Sequence, residues 1–196
     1  GAPVMALRVT YVGELGWELH LPTEYAVSVY EALHAAGAAR GLVNAGYRVI
    51  ETMRLEKGYR AWGSDIGPDH TPEEAGLGWA VKLRSNVPFR GREAMAAQRA
   101  GGVKKLLATF SAAPEVILHG RETVYRDGKR VGWLSSGGHG HTLGRAIGMG
   151  YVRDPGGVTA DFVLSGYYEL EVAGERVPCT VSLAPLYDPG MARVKG

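Results

Sequence analysis

The feature that most constrains the fold is a change of pattern near residue 102. Beyond this point the chain shows only short strand-like runs separated by turn residues. The runs are VKKLLATF (103–110), ETVYRDGKRVGWLS (122–135), AIGMGYV (146–152), TADFVL (159–164), YYELEVAG (167–174) and RVPCTVSLAPL (176–186). Within the second run Asp127-Gly128 predicts a hairpin, because a type I′ turn needs positive φ at both central residues. This spacing is typical of a small barrel or sandwich.

Residues 1–100 instead mix helix and strand patterns. The predicted elements are helices from Thr23 to Gly37, from Asn44 to Gly58 and from Gly91 to Arg99, a strand at 80–85, and a capping box at 71–74. Apolar residues of the first helix recur at three- and four-residue spacing, which predicts that it packs against a core. The sequence therefore predicts an α+β chain with two domains, residues 1–100 and 101–196.

The segment Leu7–Pro22 predicts two half-buried strands, because apolar and polar residues alternate on both sides of the bend Gly13–Gly16. The two glycines let the backbone turn sharply without a side-chain clash. This bend would hold the Glu14 carboxylate at a rim, near Tyr11 and Trp17. A rim carboxylate flanked by aromatic rings suits a flat, nitrogen-rich heterocycle. A purely structural role for Glu14 is the alternative at this point.

Two further residues are candidates for binding. Arg48 falls in the first turn of the second predicted helix, where the helix dipole favours anions rather than cations. Its position therefore indicates an anionic partner, although an ion pair with Glu51 one turn later fits the spacing equally well. Trp79 is either a platform for a ligand ring or a core residue, and the pattern does not decide between them.

Composition excludes several classes of function. The 196 residues are 45% hydrophobic, which is enough for a packed core, and the net charge of +2 with scattered cations predicts no binding to nucleic acid. Cys179 is the only cysteine, so neither an intrachain disulfide nor a cysteine-based zinc site can form. No apolar run approaches the roughly 20 residues of a membrane span, which predicts a soluble protein.

The glycine- and histidine-rich stretch Ser135–Gly144 lacks the ending of a P-loop and sits between predicted strands. His139 and His141 have no third ligand nearby, so no metal site is predicted, and the stretch is expected to be a mobile connection. No nucleophile elbow or dinucleotide fingerprint is present. The residues therefore predict binding rather than bond chemistry. The opening Gly1-Ala2-Pro3 predicts that the natural polypeptide continues upstream.

Four segments carry a resemblance to a known family. They are YVGELGWELHLP (11–22), NAGYRVIETMRLEKGYRAWGSDI (44–66), TPEEAGLGWAVKL (71–83) and LYDPGMARVKG (186–196). Together they resemble the C-terminal region of sarcosine and dimethylglycine dehydrogenases, which is homologous to the aminomethyltransferase (T protein) of the glycine cleavage system. The resemblance implies a partial aminomethyltransferase-like folate-binding domain followed by a small antiparallel β-barrel domain.

The same resemblance implies a function. In this family the region binds tetrahydrofolate and transfers a one-carbon unit to it from an iminium that an upstream flavin domain, carrying FAD, has made. Glu14 would pair with the N–H groups of the pterin, and Tyr11 would flank its ring. Arg48 would contact the folate, and Trp79 would stack along the cavity.

Two departures limit what this chain can do alone. The catalytic aspartate of the family and the flavin domain both lie upstream of anything present, so no residue here is assigned a catalytic role. Half a folate cavity would remain, with an apolar inner face that favours self-association. The implied location is the bacterial cytoplasm or the mitochondrial matrix. Alternatives are a regulatory, non-catalytic relative like the one in pyruvate dehydrogenase phosphatase, and a free-standing aminomethyltransferase.

Overall fold

A computed structural model describes all 196 residues. The elements of the first half are β1 Met5–Leu7, β2 Glu18–His20, α1 Ala26–Gly37, α2 Val49–Glu56 and α3 Arg92–Gly101. Those that follow are β3 Val103–Ala112, β4 Thr123–Arg126, β5 Lys129–Gly140, β6 Arg145–Val158, α4 Ala160–Leu164, β7 Tyr168–Val172, β8 Glu175–Ser182 and α5 Ala192–Lys195. No helix has the length and apolar character that crossing a membrane requires.

The second half is a closed six-stranded antiparallel barrel, with strand order β3-β6-β5-β4-β7-β8 and closure between β8 and β3. Its core residues share an inward orientation and include Phe110, Val124, Leu134, Val152, Tyr168 and Leu170, all at most 1% exposed. Asp127 and Gly128 both have positive φ, at 50° and 76°, which confirms the predicted hairpin turn between β4 and β5. The strand pattern allowed a barrel or a sandwich, and the barrel that the family resemblance implied is confirmed.

Two predictions in the second half are wrong. The run 159–164 forms helix α4 rather than a strand, because the Thr159 hydroxyl accepts the Phe162 N–H at 3.1 Å and caps the turn. Ser135–Gly144 is no mobile connection, since β5 extends to Gly140. Glycine allows this strand to lie close to its neighbours, for a Cβ on Gly137 would stand 2.5 Å from the backbone nitrogen of Gly120.

The first half departs further from its pattern. β1 and β2 pair antiparallel, but every residue of both is exposed, so the prediction of two half-buried strands is wrong. Helix α1 ends at Gly37 as predicted, yet none of its residues is buried. Residues 80–85 form no strand: Ala80 ends a short 3-10 helix and residues 83–84 form a turn, because no neighbouring strand supplies hydrogen-bond partners. An amphipathic pattern marks the face that can be buried, but that face is buried only where another element packs against it.

Helix α2 connects the two halves. It begins at Val49 rather than Asn44, because the Asn44 amide is engaged by Tyr30 Oη at 2.7 Å and by the His34 ring at 3.0 Å. Leu55 packs in a second cluster on the outside of the barrel, with Leu107, Ile147, Met149 and Tyr151. This contact fixes the position of the segments that flank α2.

Candidate functional site

Glu14 lies on a sharp bend, as its flanking glycines predict. Gly13 has a φ of +77°, and the Thr10 hydroxyl accepts the N–H groups of Val12 and Gly13 at 3.3 and 3.2 Å. A serine or threonine that bonds the backbone two or three residues ahead stabilises such a turn. These hydrogen bonds stabilise the bend and therefore fix the backbone position of Glu14.

The partners of Glu14 come from the other end of the chain. The Tyr187 hydroxyl donates to Glu14 Oε1, and Arg193 Nε donates to Oε2 at 3.1 Å. The Glu14 side chain remains 29% exposed. Residues 187–193, the C-terminal segment, therefore supply neighbours of Glu14 that sequence reasoning did not assign. The only signal was their inclusion in the final motif of the resemblance.

Lys57 and Asp188 anchor the C-terminal segment. Lys57 Nζ donates to the Asp188 carboxylate and to the Asp188 carbonyl oxygen, both at 2.6 Å, and its side chain is fully buried. The hydrogen bond from Lys57 lowers the pKa of Asp188, and backbone N–H groups of Ala192 and Arg193 act in the same direction. An ionised Asp188 thus ties the segment to the end of α2.

Tyr11 lies on the same bend but points to a different segment. Its hydroxyl donates to the Arg60 carbonyl oxygen at 3.1 Å, and its ring stacks on Tyr59 with 6.1 Å between centroids and an interplanar angle of 11°. Partial burial raises the pKa of the Tyr11 phenol. The ring is thereby held in one orientation, as a residue that flanks a planar ligand requires.

Arg48 and Trp79 stand apart from this pair. The Arg48 side chain is exposed at the start of α2 and has no hydrogen bond or ion pair, and the alternative pairing with Glu51 is wrong because Glu51 pairs with Arg54 at 2.8 Å. Trp79 is 76% exposed, so the core alternative for it is wrong as well. No hydrogen bond joins any two of the four candidate residues. Their common site therefore stays a prediction.

Trp79 lines an open cavity of about 530 Å³. The charged residues around this cavity are Glu73, Lys82, Arg84 and Arg99. Arg99 is engaged by Glu73 and also donates to the Gly78 carbonyl oxygen at 2.9 Å. Lys82 and Arg84 form no ion pair. The cavity therefore offers an aromatic wall beside positive charge.

Two family models match the chain. Residues 1–85 match the GCVT N-terminal domain, and residues 105–188 match the glycine cleavage T-protein C-terminal barrel domain. The chain belongs to the glycine cleavage T-protein family. The four predicted site residues all lie in the first of these matches, whereas the second match includes Tyr187 but ends before Arg193.

Known relatives of this T-protein family chain include enzymes of two kinds. It is 46% identical over its whole length to mitochondrial sarcosine dehydrogenase of Mus musculus, of which it spans 22%. It is 40% identical over 78% of its length to an aminomethyltransferase of Halothermothrix orenii, of which it spans 43%. The crystal structure of glycine cleavage system aminomethyltransferase T from Bartonella henselae superposes with a TM-score of 0.80 at 28% identity, covering 94% of this chain and 50% of that one.

The bend that carries Glu14 leaves no room for a side chain at Gly13, which can be tested by substitution. A Cβ at this position would stand 2.7 Å from Lys57 Cγ, whereas a Cβ on Gly41, whose φ is nearly the same at +76°, would meet nothing within 4 Å. Gly41→Ala is expected to lower the free energy of unfolding by about 1 kcal/mol through backbone strain alone. Gly13→Ala is expected to cost about 1–3 kcal/mol more, because of overpacking. Urea unfolding of both variants measures the difference, and equal losses would contradict the contact with Lys57.

Proposed function

We propose that this chain is the tetrahydrofolate-binding, one-carbon-transfer region of a sarcosine-dehydrogenase-like flavoenzyme. The family and its dehydrogenase and aminomethyltransferase relatives support this proposal. The observation that carries it is Glu14, a partly exposed carboxylate on a rigid bend with two donors fixing its orientation. Such an acid can accept two parallel N–H groups of a pterin with charge-assisted strength.

The other candidates have complementary roles in the proposal. Tyr11, held by Tyr59 and the Arg60 carbonyl, would flank the pterin ring. Arg48 is unpaired and would bond a carbonyl or carboxylate of the folate. Trp79 would stack against a ring of the ligand from the cavity that it lines.

The remainder of the enzyme would lie upstream of these residues. FAD would be held there, since this chain has no dinucleotide fingerprint, and it would supply the oxidation of the methylated amine. The methylene group of the resulting iminium would bridge N5 and N10 of tetrahydrofolate, releasing the demethylated amine and one proton. The upstream part would also cover the unpacked apolar side of α1. The mitochondrial matrix or a bacterial cytoplasm would be the location.

Product analysis tests the proposal on the polypeptide that carries this chain. With sarcosine as the amine and tetrahydrofolate present, the methyl carbon is expected to appear as 5,10-methylenetetrahydrofolate. Without folate it is expected to appear as formaldehyde. Formaldehyde as the sole product in both cases, together with no calorimetric binding of tetrahydrofolate, would contradict the proposed function.

A further inference from the structure

The protein occupies only half of the hydrogen-bond acceptor positions of the Glu14 carboxylate. Tyr187 occupies one acceptor position on Oε1, and Arg193 occupies one on Oε2. Each carboxylate oxygen can accept about two hydrogen bonds. One position therefore remains on each oxygen, and the side chain is 29% exposed. A carboxylate that can take one more N–H donor on each oxygen suits a planar ligand that presents two parallel N–H donors.

Both donors are themselves held in place. The Tyr187 N–H donates to the Glu56 carbonyl oxygen at 3.0 Å, which attaches the segment to the end of α2. The Arg193 carbonyl oxygen accepts the Leu15 N–H at 3.0 Å, directly beside Glu14. The buried Lys57 holds Asp188 between them. The orientation of the carboxylate is thus set by the C-terminal segment, some 170 residues away in sequence.

The charge states of the donors favour the same arrangement. The hydrogen bond to Glu14 raises the pKa of Tyr187, so this phenol keeps its proton. The charge of Glu14 raises the pKa of Arg193 in turn. A phenolate at this position would repel the carboxylate instead of bonding it. Both donors therefore persist across the neutral pH range.

We propose that Tyr187 and Arg193 are positioning residues that hold the Glu14 carboxylate in the orientation that folate binding requires. The inference rests on the proposed function and extends it to the C-terminal segment. A site must be held within about half an ångström of its productive geometry by supporting groups if it is to bind with full strength. A Glu14 side chain without these two donors would be free to rotate at the rim and would spend less time facing the pterin.

Calorimetry with tetrahydrofolate on the polypeptide that carries this chain tests the inference. Tyr187→Phe removes a single oxygen, and Arg193→Met keeps most of the side-chain volume. Each change is expected to weaken binding about tenfold, the effect of one hydrogen bond to a charged group. Arg176→Met is the matched control, because it makes the same substitution in an arginine that also pairs with a glutamate. Arg176 lies on β8, and its partner is Glu169 at 3.8 Å rather than Glu14. The control is expected to bind like the parent.

A double-mutant cycle separates positioning from a general effect on folding. In a Glu14→Ala background, which leaves Arg193 no side-chain acceptor to hold, Arg193→Met is expected to change the affinity less than twofold, because its effect acts through Glu14. Full additivity would overturn the inference. Parent-like binding by both Tyr187→Phe and Arg193→Met, with Glu14→Gln still weakened, would overturn it while the proposed function stands. A parent polypeptide that does not bind tetrahydrofolate would overturn both.

Discussion

Asp65→Ala should lower the free energy of unfolding by about 3–5 kcal/mol, the usual loss when one partner of a buried ion pair is removed. Arg54 Nη1 donates to Asp65 Oδ2 at 2.6 Å, and the two side chains are 3% and 0% exposed. Burial opposes the charge of Arg54, but Asp65 and Glu51 overcome this effect and raise its pKa. Without Asp65 the guanidinium would be left charged in a site that excludes water.

Further hydrogen bonds add to the loss. Asp65 Oδ1 accepts the Ser136 hydroxyl at 2.7 Å and also that of Ser135, while Oδ2 accepts the Ala61 N–H at 2.9 Å. These groups would lose their acceptor together. Thermal unfolding of the chain should shift down by about 10 °C, given the size of the chain.

Asp69→Ala is the matched control for this prediction. Asp69 lies four residues later in the same loop and is exposed, and its carboxylate has no hydrogen bond or ion pair. Its replacement should change the free energy of unfolding by less than about 0.5 kcal/mol. Similar losses in the two variants would show that the Arg54–Asp65 pair contributes no more than an ordinary surface charge.

The Asp65 network also supports the candidate site. It fixes the loop that follows α2 against β5, and Tyr59 and Arg60, which hold Tyr11, belong to that loop. The Asp65 carbonyl oxygen accepts the Tyr151 hydroxyl at 2.9 Å, a second attachment to the barrel. Loss of this network would therefore loosen Tyr11 as well as the interface between the two halves of the chain.

The barrel could be predicted from sequence because its signals are local. The short strand-like runs, the turn residues between them and the Asp127-Gly128 turn depend on residues that are close in the chain, and the structure joins every run except 159–164 in one closed sheet. Helix α1 and strands β1 and β2 carry equally clear patterns but bury nothing. Their burial depends on an element that packs across them, which a local pattern cannot reveal.

The site could be predicted only in part for the same reason. The bend that carries Glu14 follows from two glycines three residues apart, which is local information. Its partners Tyr187 and Arg193 lie 173 and 179 residues further on, and no spacing rule connects them to Glu14. The resemblance assigned Arg48 to the folate and named no partner for Glu14 within the chain, whereas the structure pairs Glu14 with the guanidinium of Arg193.

Glu14→Gln should weaken tetrahydrofolate binding by about 10–100-fold, which corresponds to the 1.5–3 kcal/mol typical of hydrogen bonds to a charged group. Glutamine has the same shape and keeps one acceptor oxygen. Its amide group, however, presents a donor where the pterin also presents donors, and the negative charge is lost. Calorimetric titration of the polypeptide that carries this chain measures the change. The thermal stability should alter little, because Arg193 can still donate to the remaining oxygen.

Glu18→Gln distinguishes this local effect from a general one. Glu18 lies four residues along, on β2, where its side chain is 58% exposed and its only ion pair is with His20, at 3.3 Å. Both substitutions remove one negative charge, so a long-range electrostatic effect would move both affinities alike. A loss confined to Glu14→Gln would place the pterin at the bend. Parent-like affinity of Glu14→Gln would remove Glu14 from the folate site.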